Sequence, residues 1–223
     1  QPKAVMLPAL FLASAALSVS YFISPGIFQK ALPIWALSAT SWKGRADIFS
    51  SYVSVGLLFS SAGDMLLELD HDYPGKYFIF GLVSFLVAHL LYINAFRTSK
   101  LSYKYANLVF VVVLAYYVGI MRVLLPNMEQ GMVVPVLLYG LAISAMLFFS
   151  ILRFLSSRTC TKSSRLCSLI GSVMFVASDS ILAINKFAFP VPDAHFYVMV
   201  TYYVGQTYIA ASTFRNHKVQ IKK

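Results

Sequence analysis

Charge is what this chain has least of. Asp, Glu, Lys and Arg make up 12% of its 223 residues, against 59% hydrophobic, and its mean hydropathy is +0.73. A soluble domain of this size needs more polar surface than that, so the composition predicts an integral membrane protein. Cysteine is almost missing. Cys160 and Cys167 are the only two, at a spacing that matches no zinc or redox pattern, so no disulfide, metal or redox role is expected of them. The four histidines, His71, His89, His195 and His217, make no recognisable zinc spacing with carboxylates, and neither metal nor other cofactor is expected. There is no Gly-x-Ser-x-Gly stretch, which removes that form of serine nucleophile. Asn-x-Ser/Thr is also absent, so glycosylation cannot orient the chain.

What is present is a series of apolar runs, at about 4–22, 27–42, 47–67, 75–96, 104–125, 131–154, 165–186 and 194–213. They are unbroken rather than alternating, which excludes strands of a barrel and predicts an all-α bundle of eight transmembrane helices, one polytopic domain over residues 1–223. Ser24-Pro25-Gly26, Tyr73-Pro74-Gly75, Pro126-Asn127 and Pro190-Val191-Pro192 fall between the runs, as helix punctuation should. The first run, with Lys3 before it and Ala13-Ser14-Ala15 inside it, mimics a secretory leader; its length from Ala4 to Phe22 suits a true first span.

If the connections alternate between faces, one face holds Lys3, Lys43, Arg45, Arg97, Lys100, Lys104, Arg153, Arg158, Lys162, Arg165, Arg215, Lys218, Lys222 and Lys223. The opposite face keeps Lys30, Lys76, Arg122 and Lys186, with Glu68, Asp70, Asp72, Glu129 and Asp193. The bases are read as loop residues, and the positive-inside rule then puts both termini in the cytoplasm. The formal net charge of +10 is thus topological, with attraction to anionic bilayer lipid and no nucleic-acid partner.

Two acids do not fit a loop. Ser60-Ser61-Ala62-Gly63-Asp64-Met65-Leu66-Leu67 carries a carboxylate within an apolar run, and Ala177-Ser178-Asp179-Ser180-Ile181-Leu182 repeats the form. Lipid tolerates such groups only where they face protein or a water pocket, which makes Asp64 and Asp179 the candidate catalytic residues. They occupy the third helix of each half and run in the same direction, consistent with two parallel four-helix repeats. Tyr92-Ile93 and Tyr208-Ile209 follow them at nearly equal offsets. Both aspartates then lie in the extracytoplasmic half of the membrane.

Burial disfavours a charged carboxyl, and two carboxyls sharing a site do not readily both ionise. One can stay protonated, and an acid with a partner carboxylate is what cleavage through an oxocarbenium-like state requires. The plain alternative for each aspartate is an interhelical hydrogen bond or a watery vestibule. His89 could orient an aspartate or relay a proton, or be a core histidine. Lys30 and Lys186 stand at helix ends on the charge-poor face, where an ammonium can reach a lipid phosphate or simply anchor. Lys186 lies about 10 Å along its helix from Asp179, at about 1.5 Å rise per residue. Tyr202, Tyr203 and Gln206 offer polar groups in the last span, to line the same cavity or to pack.

In order and spacing, Lys30-Ala31-Leu32-Pro33, Ser61-Ala62-Gly63-Asp64, Ala88-His89-Leu90-Leu91-Tyr92, Ala95-Phe96, Ser178-Asp179, Asn185-Lys186-Phe187 and Thr201-Tyr202-Tyr203 with Gln206 resemble the lysoplasmalogenases, the YhhN-like family. The resemblance runs from the first span to the eighth, and Phe189-Pro190-Val191-Pro192 is similar to vertebrate-type members. It implies eight transmembrane helices and hydrolysis of the sn-1 vinyl ether of a lysophospholipid, lysoplasmenylethanolamine or lysoplasmenylcholine, to a fatty aldehyde and the glycerophospho-base. It further implies substrate-binding roles for Lys30, His89, Asn185, Lys186, Tyr202, Tyr203 and Gln206, and the endoplasmic reticulum membrane is the expected location. Two other classes stay open: a proton-coupled lipid or small-molecule transporter, which would also use intramembrane acids and a repeat, and a noncatalytic scaffold.

Overall fold

The computed structural model describes residues 2–24, 26–44, 47–156 and 160–214. Within them the chain forms eight α-helices: α1 (Pro2–Ile23), α2 (Ile27–Gly44), α3 (Ile48–Asp72), α4 (Phe78–Arg97), α5 (Ala106–Leu124), α6 (Gln130–Ser156), α7 (Lys162–Phe187) and α8 (Ala194–Phe214), with a single 3-10 turn at Leu125–Asn127. Every apolar run has become one helix. Five are long and apolar enough to cross a membrane, α3 through α7, and the protein is a multi-pass membrane protein. In α1 the stretch Ala13–Ile23 is apolar but shorter. Helix α8 falls outside the five because it carries Tyr202, Tyr203 and Gln206, all buried in the bundle. A helix whose polar side chains face protein need not look apolar.

Two loop assignments change. Glu68, Asp70 and Asp72 were expected in a loop, but α3 continues to Asp72. Asp70 accepts hydrogen bonds at 2.9 Å from the backbone N–H groups of both Tyr77 and Phe78, satisfying the open first turn of α4. Gly75, at φ 80°, supplies the left-handed residue of the turn between them. The bases were expected in loops as well, yet Arg153 is 0% exposed inside α6. It donates from Nε to Ser99 Oγ (3.1 Å), from Nη1 to Ser168 Oγ (2.5 Å) and from Nη2 to Ser164 Oγ (2.8 Å). Its guanidinium lies 4.5 Å from the Phe49 ring centroid. Long enough to turn inward from the helix end, it ties α6 to α7 rather than marking a face. Arg165 likewise donates to the Phe154 carbonyl at 2.9 Å. Arg45, Arg158, Arg215, His217, Lys218, Lys222 and Lys223, and with them the expected position of the C-terminus, lie outside the described residues.

Small residues set the helix spacing. Along the α7–α8 seam, Ser164 Oγ donates to the Ser212 carbonyl (2.7 Å) at one end and Ser178 Oγ to the Val198 carbonyl (3.0 Å) at the other. Between them Gly171 and Gly205 bring the backbones together, since a Cβ on Gly171 would stand 2.8 Å from the Gly205 carbonyl oxygen. Helices α3 and α4 pair in the same way: Ser84 Oγ donates to the Phe59 carbonyl at 2.7 Å, and Gly63 leaves room for the ring of Phe85. The glycine next to Asp64 is therefore a packing requirement that fixes the carboxylate against α4. Further close pairs join α1 to α2, α2 to α3, α5 to α6 and α6 to α7, with α4 against α6 and α8 against α2 bridging the halves.

Candidate active site

A cavity of about 710 Å³ opens among these helices, and both Asp64 and Asp179 line it. That volume suits a small-molecule ligand, for which roughly 300–1,000 Å³ is usual. Each aspartate is held by one tyrosine from another helix. Tyr202 of α8 donates its hydroxyl to Asp64 Oδ2 at 2.5 Å, a bond closed off from solvent. Tyr139 of α6 donates to Asp179 Oδ2, and behind it His89 Nε2 of α4 stands 3.0 Å from the Tyr139 oxygen and 3.8 Å from Asp179 Oδ2. Because Tyr139 spends its hydrogen on Asp179, the His89 contact requires the hydrogen on Nε2. The two sites differ in access: Asp64 is buried, whereas Asp179 is only half-buried.

The wall around Asp64 is aromatic. Phe85, Phe175 and Tyr202 meet edge to face, with centroids 5.5 to 6.1 Å apart, and His89 packs on Phe175 at 4.8 Å. Such edge-on packing fixes ring positions and keeps water away from the carboxyl.

Charged groups gather at the other end of the cavity. Lys30 Nζ pairs with Glu68 Oε2 at 3.0 Å, while Lys186 Nζ lies 4.2 Å from the Phe78 ring centroid. Tyr21 OH and His195 Nε2 meet at 3.2 Å. Asn185 lines the cavity too, but its Oδ1 accepts from the Val191 N–H at 2.9 Å and so also fastens the turn leading to α8.

Of the residues expected at the site, Asp64, Asp179, Lys30, Asn185, Lys186 and Tyr202 line the cavity. His89 reaches it only through Tyr139 and Asp179. Tyr203 and Gln206 stand behind the wall: Tyr203 OH donates to the Lys30 carbonyl at 3.2 Å, and Gln206 Oε1 accepts from Tyr92 OH at 2.9 Å. Tyr139, Glu68, Tyr21, His71 and His195 are additional members of the lining. Tyr139 carries the same local signal as Tyr202, a hydroxyl in an apolar helix, but so do Tyr116 and Tyr117, and that signal alone does not single it out. Among the described residues no group of three or more His, Cys, Asp or Glu side chains is placed to hold a metal ion, and Cys160 and Cys167 are not joined in a disulfide.

Comparison with known proteins agrees over most of this frame. Residues 26–213 match the YhhN family. Lysoplasmalogenase TMEM86B of Mus musculus is 33% identical over 188 residues, covering 84% of this chain and 74% of the relative. The Homo sapiens protein of that name is 31% identical over the same shares. A lysoplasmalogenase of Mycobacterium bovis is 30% identical over 137 residues, 59% of this chain and 48% of the relative. No solved structure matches the chain. With the match running from α2 to the end of α8 and including both aspartates, the chain belongs to the YhhN family.

Proposed function

We propose that this chain is a lysoplasmalogenase that cleaves the sn-1 vinyl ether of lysoplasmenylethanolamine or lysoplasmenylcholine by acid–base catalysis with Asp64 and Asp179. The observation that carries the reading is that both intramembrane carboxyls line one cavity and each is oriented by a buried tyrosine hydroxyl. A vinyl ether hydrolyses by protonation at carbon, giving an oxocarbenium ion that water captures. The resulting hemiacetal releases a fatty aldehyde and the glycerophospho-base. One carboxyl to give a proton and one to take a proton satisfy that sequence without further groups.

The head group belongs at the charged end. Lys186 has no carboxylate partner among the described residues and is the stronger candidate for the phosphate, since Lys30 is engaged by Glu68. Asn185 and Tyr202 would line the path between phosphate and reacting carbon, while His89, Tyr203 and Gln206 support it from behind. In the membrane we place eight spans as two parallel repeats with both termini cytoplasmic. The pairings α1–α2, α2–α3 and α3–α4 recur as α5–α6, α6–α7 and α7–α8, which supports the repeat. On this topology the cavity opens to the non-cytoplasmic face, within the endoplasmic reticulum membrane.

The test is aldehyde release from lysoplasmenylethanolamine by purified protein in detergent with a chelator present. Asp64→Asn and Asp179→Asn should each lose about 10²–10⁴ of the wild-type rate while remaining folded. Full activity in both variants would overturn the reading. Gradient-driven uptake into proteoliposomes, with no aldehyde formed from any vinyl ether lipid, would replace it with a transporter.

A further inference from the structure

The two carboxyls are held differently, and the difference divides their work. We infer that Tyr139 and His89 are positioning residues that make Asp179 the carboxylate that takes water's proton, leaving Asp64 as the acid that protonates the vinyl carbon. This rests on the hydrolase reading above.

Three observations support the division. The first is direction. His89 Nε2–H points to the Tyr139 oxygen (3.0 Å) and Tyr139 O–H to Asp179 Oδ2, so both donors run toward Asp179. A chain of that polarity reinforces itself and stabilises negative charge at its end. Asp64 has the Tyr202 hydroxyl but no imidazole behind it. The second is access. Water must approach the base, and Asp179 is the more open of the two, only half-buried; an acid that has to keep its proton until a carbon arrives is better enclosed, as the buried Asp64 is. The third is surroundings. The nearest cation to the Asp64 end, Lys30, is paired with Glu68 at 3.0 Å, and the wall beside Asp64 is the aromatic cluster of Phe85, Phe175 and Tyr202.

The reaction then balances without another reactant. Asp64 gives its proton to the alkenyl carbon distal to oxygen, leaving the Asp64 carboxylate and an oxocarbenium ion. Water bonds to the cationic carbon while Asp179 takes one of its protons, forming a neutral hemiacetal. The Asp64 carboxylate next removes the hemiacetal hydroxyl proton as the carbon–oxygen bond to glycerol breaks, and protonated Asp179 delivers its proton to the departing glycerol oxygen. Aldehyde and alcohol leave with both aspartates restored. Without Tyr139 the cation still forms, but capture by water slows and the cation has time to return its proton.

Deuterium oxide makes that return visible. Purified wild type, Tyr139→Phe, His89→Gln, Tyr202→Phe, Asp64→Asn and Asp179→Asn would each be run part-way on lysoplasmenylethanolamine in D2O, with mass spectrometry of the unreacted lipid. Wild type should return unlabelled substrate. Tyr139→Phe should lose about ten- to a hundredfold in kcat, the worth of one hydrogen bond to a charged group, with little change in KM, and its recovered substrate should carry deuterium at the vinyl carbon. Asp179→Asn should show the same label and His89→Gln a weaker version of it, with folding of each verified by thermal unfolding. Asp64→Asn and Tyr202→Phe should slow product release with no label. Label in Asp64→Asn and none in Asp179→Asn or Tyr139→Phe would reverse the roles and overturn the inference. Full product release by both aspartate variants would instead remove the underlying hydrolase reading.

Discussion

Alanine at position 171 should destabilise this protein, although alanine is the better helix former. Gly171 is in the middle of the α7–α8 seam, where a Cβ would stand 2.7 Å from Ile209 Cγ1 and 2.8 Å from both the Gly205 carbonyl oxygen and the Ile209 nitrogen. Two of those neighbours are backbone and cannot rotate away. Ordinary contact begins at 3.4 Å, so α8 has to retreat by about 0.6 Å. Overpacking of this kind costs about 1–3 kcal/mol, offset by the roughly 0.5–1 kcal/mol gained on replacing a helical glycine, for a net loss of about 1 kcal/mol and at most about 2.5 kcal/mol. For a chain of this length that lowers Tm by about 2–4 °C, and at most by about 10 °C. Gly119 is the control, a helical glycine in α5 where an added methyl carbon would meet nothing within 4 Å, and Gly119→Ala should leave Tm unchanged or raise it slightly. The same retreat can lengthen the 2.5 Å Tyr202–Asp64 bond by at most about 0.6 Å, which weakens it without removing the hydroxyl from Asp64. Gly171→Ala should accordingly lose stability before activity, staying within about tenfold of wild-type turnover. Thermal unfolding in detergent beside an aldehyde-release assay measures both. A Gly171→Ala protein at least as stable as Gly119→Ala would refute the close backbone contact on which the seam is argued.

Three further outcomes follow from particular contacts. Arg153→Lys should lower Tm by about 3–12 °C, because an ammonium's three N–H groups radiate from one nitrogen and cannot span Ser99, Ser164 and Ser168 as the guanidinium fork does, and losing even one bond to the charge is worth about 1.5–3 kcal/mol. A Tm equal to wild type would show that charge alone suffices. Lys30→Met should cost about 1–3 kcal/mol, between the values for exposed and buried pairs, since it leaves the partly buried Glu68 carboxylate without its partner. Lys30→Met with Glu68→Met should recover most of that loss in chemical denaturation, and no recovery would mean the pair is not coupled. For the topology, Lys186→Cys in a Cys160→Ser, Cys167→Ser background should react with a membrane-impermeant maleimide only from the non-cytoplasmic side; labelling from the cytoplasmic side of sealed vesicles would invert the bundle.

The helices were largely legible because membrane spans are written in single residues: eight apolar runs became eight helices. The errors arose where a charged residue has a partner distant in sequence. Glu68 and Asp70 look like loop residues until Lys30 and the first turn of α4 are brought beside them. Arg153 looks like a topological marker until three serines surround it. Asp64 and Asp179 stood out because a lone acid in an apolar run is costly and needs a reason. Tyr139 did not stand out, since a tyrosine in a membrane helix is cheap to pack and only the fold shows its hydroxyl reaching Asp179. Local spacing records what a residue costs where it sits; it does not record which distant residue repays that cost.

That asymmetry is also what a duplicated scaffold would have to acquire. On the repeat reading, α4 corresponds to α8, and each sends a ring to the aspartate of the opposite half: Tyr202 from α8 to Asp64 on α3, His89 from α4 toward Asp179 on α7. Two equivalent carboxyls held in equivalent ways would have no basis for taking different parts, and hydrolysis of a vinyl ether needs a donor for the first step and an acceptor for the second. The symmetry is broken by the second helix of each half. Helix α6 inserts Tyr139 between His89 and Asp179, whereas the corresponding α2 contributes Lys30, which turns to Glu68 at the cavity's charged end. On the proposed division of roles, the residues that would separate acid from base lie on α2 and α6 rather than on the helices that carry the aspartates. Exchanging the aspartates for glutamates should disturb both roles together, while changing Tyr139 alone should disturb one.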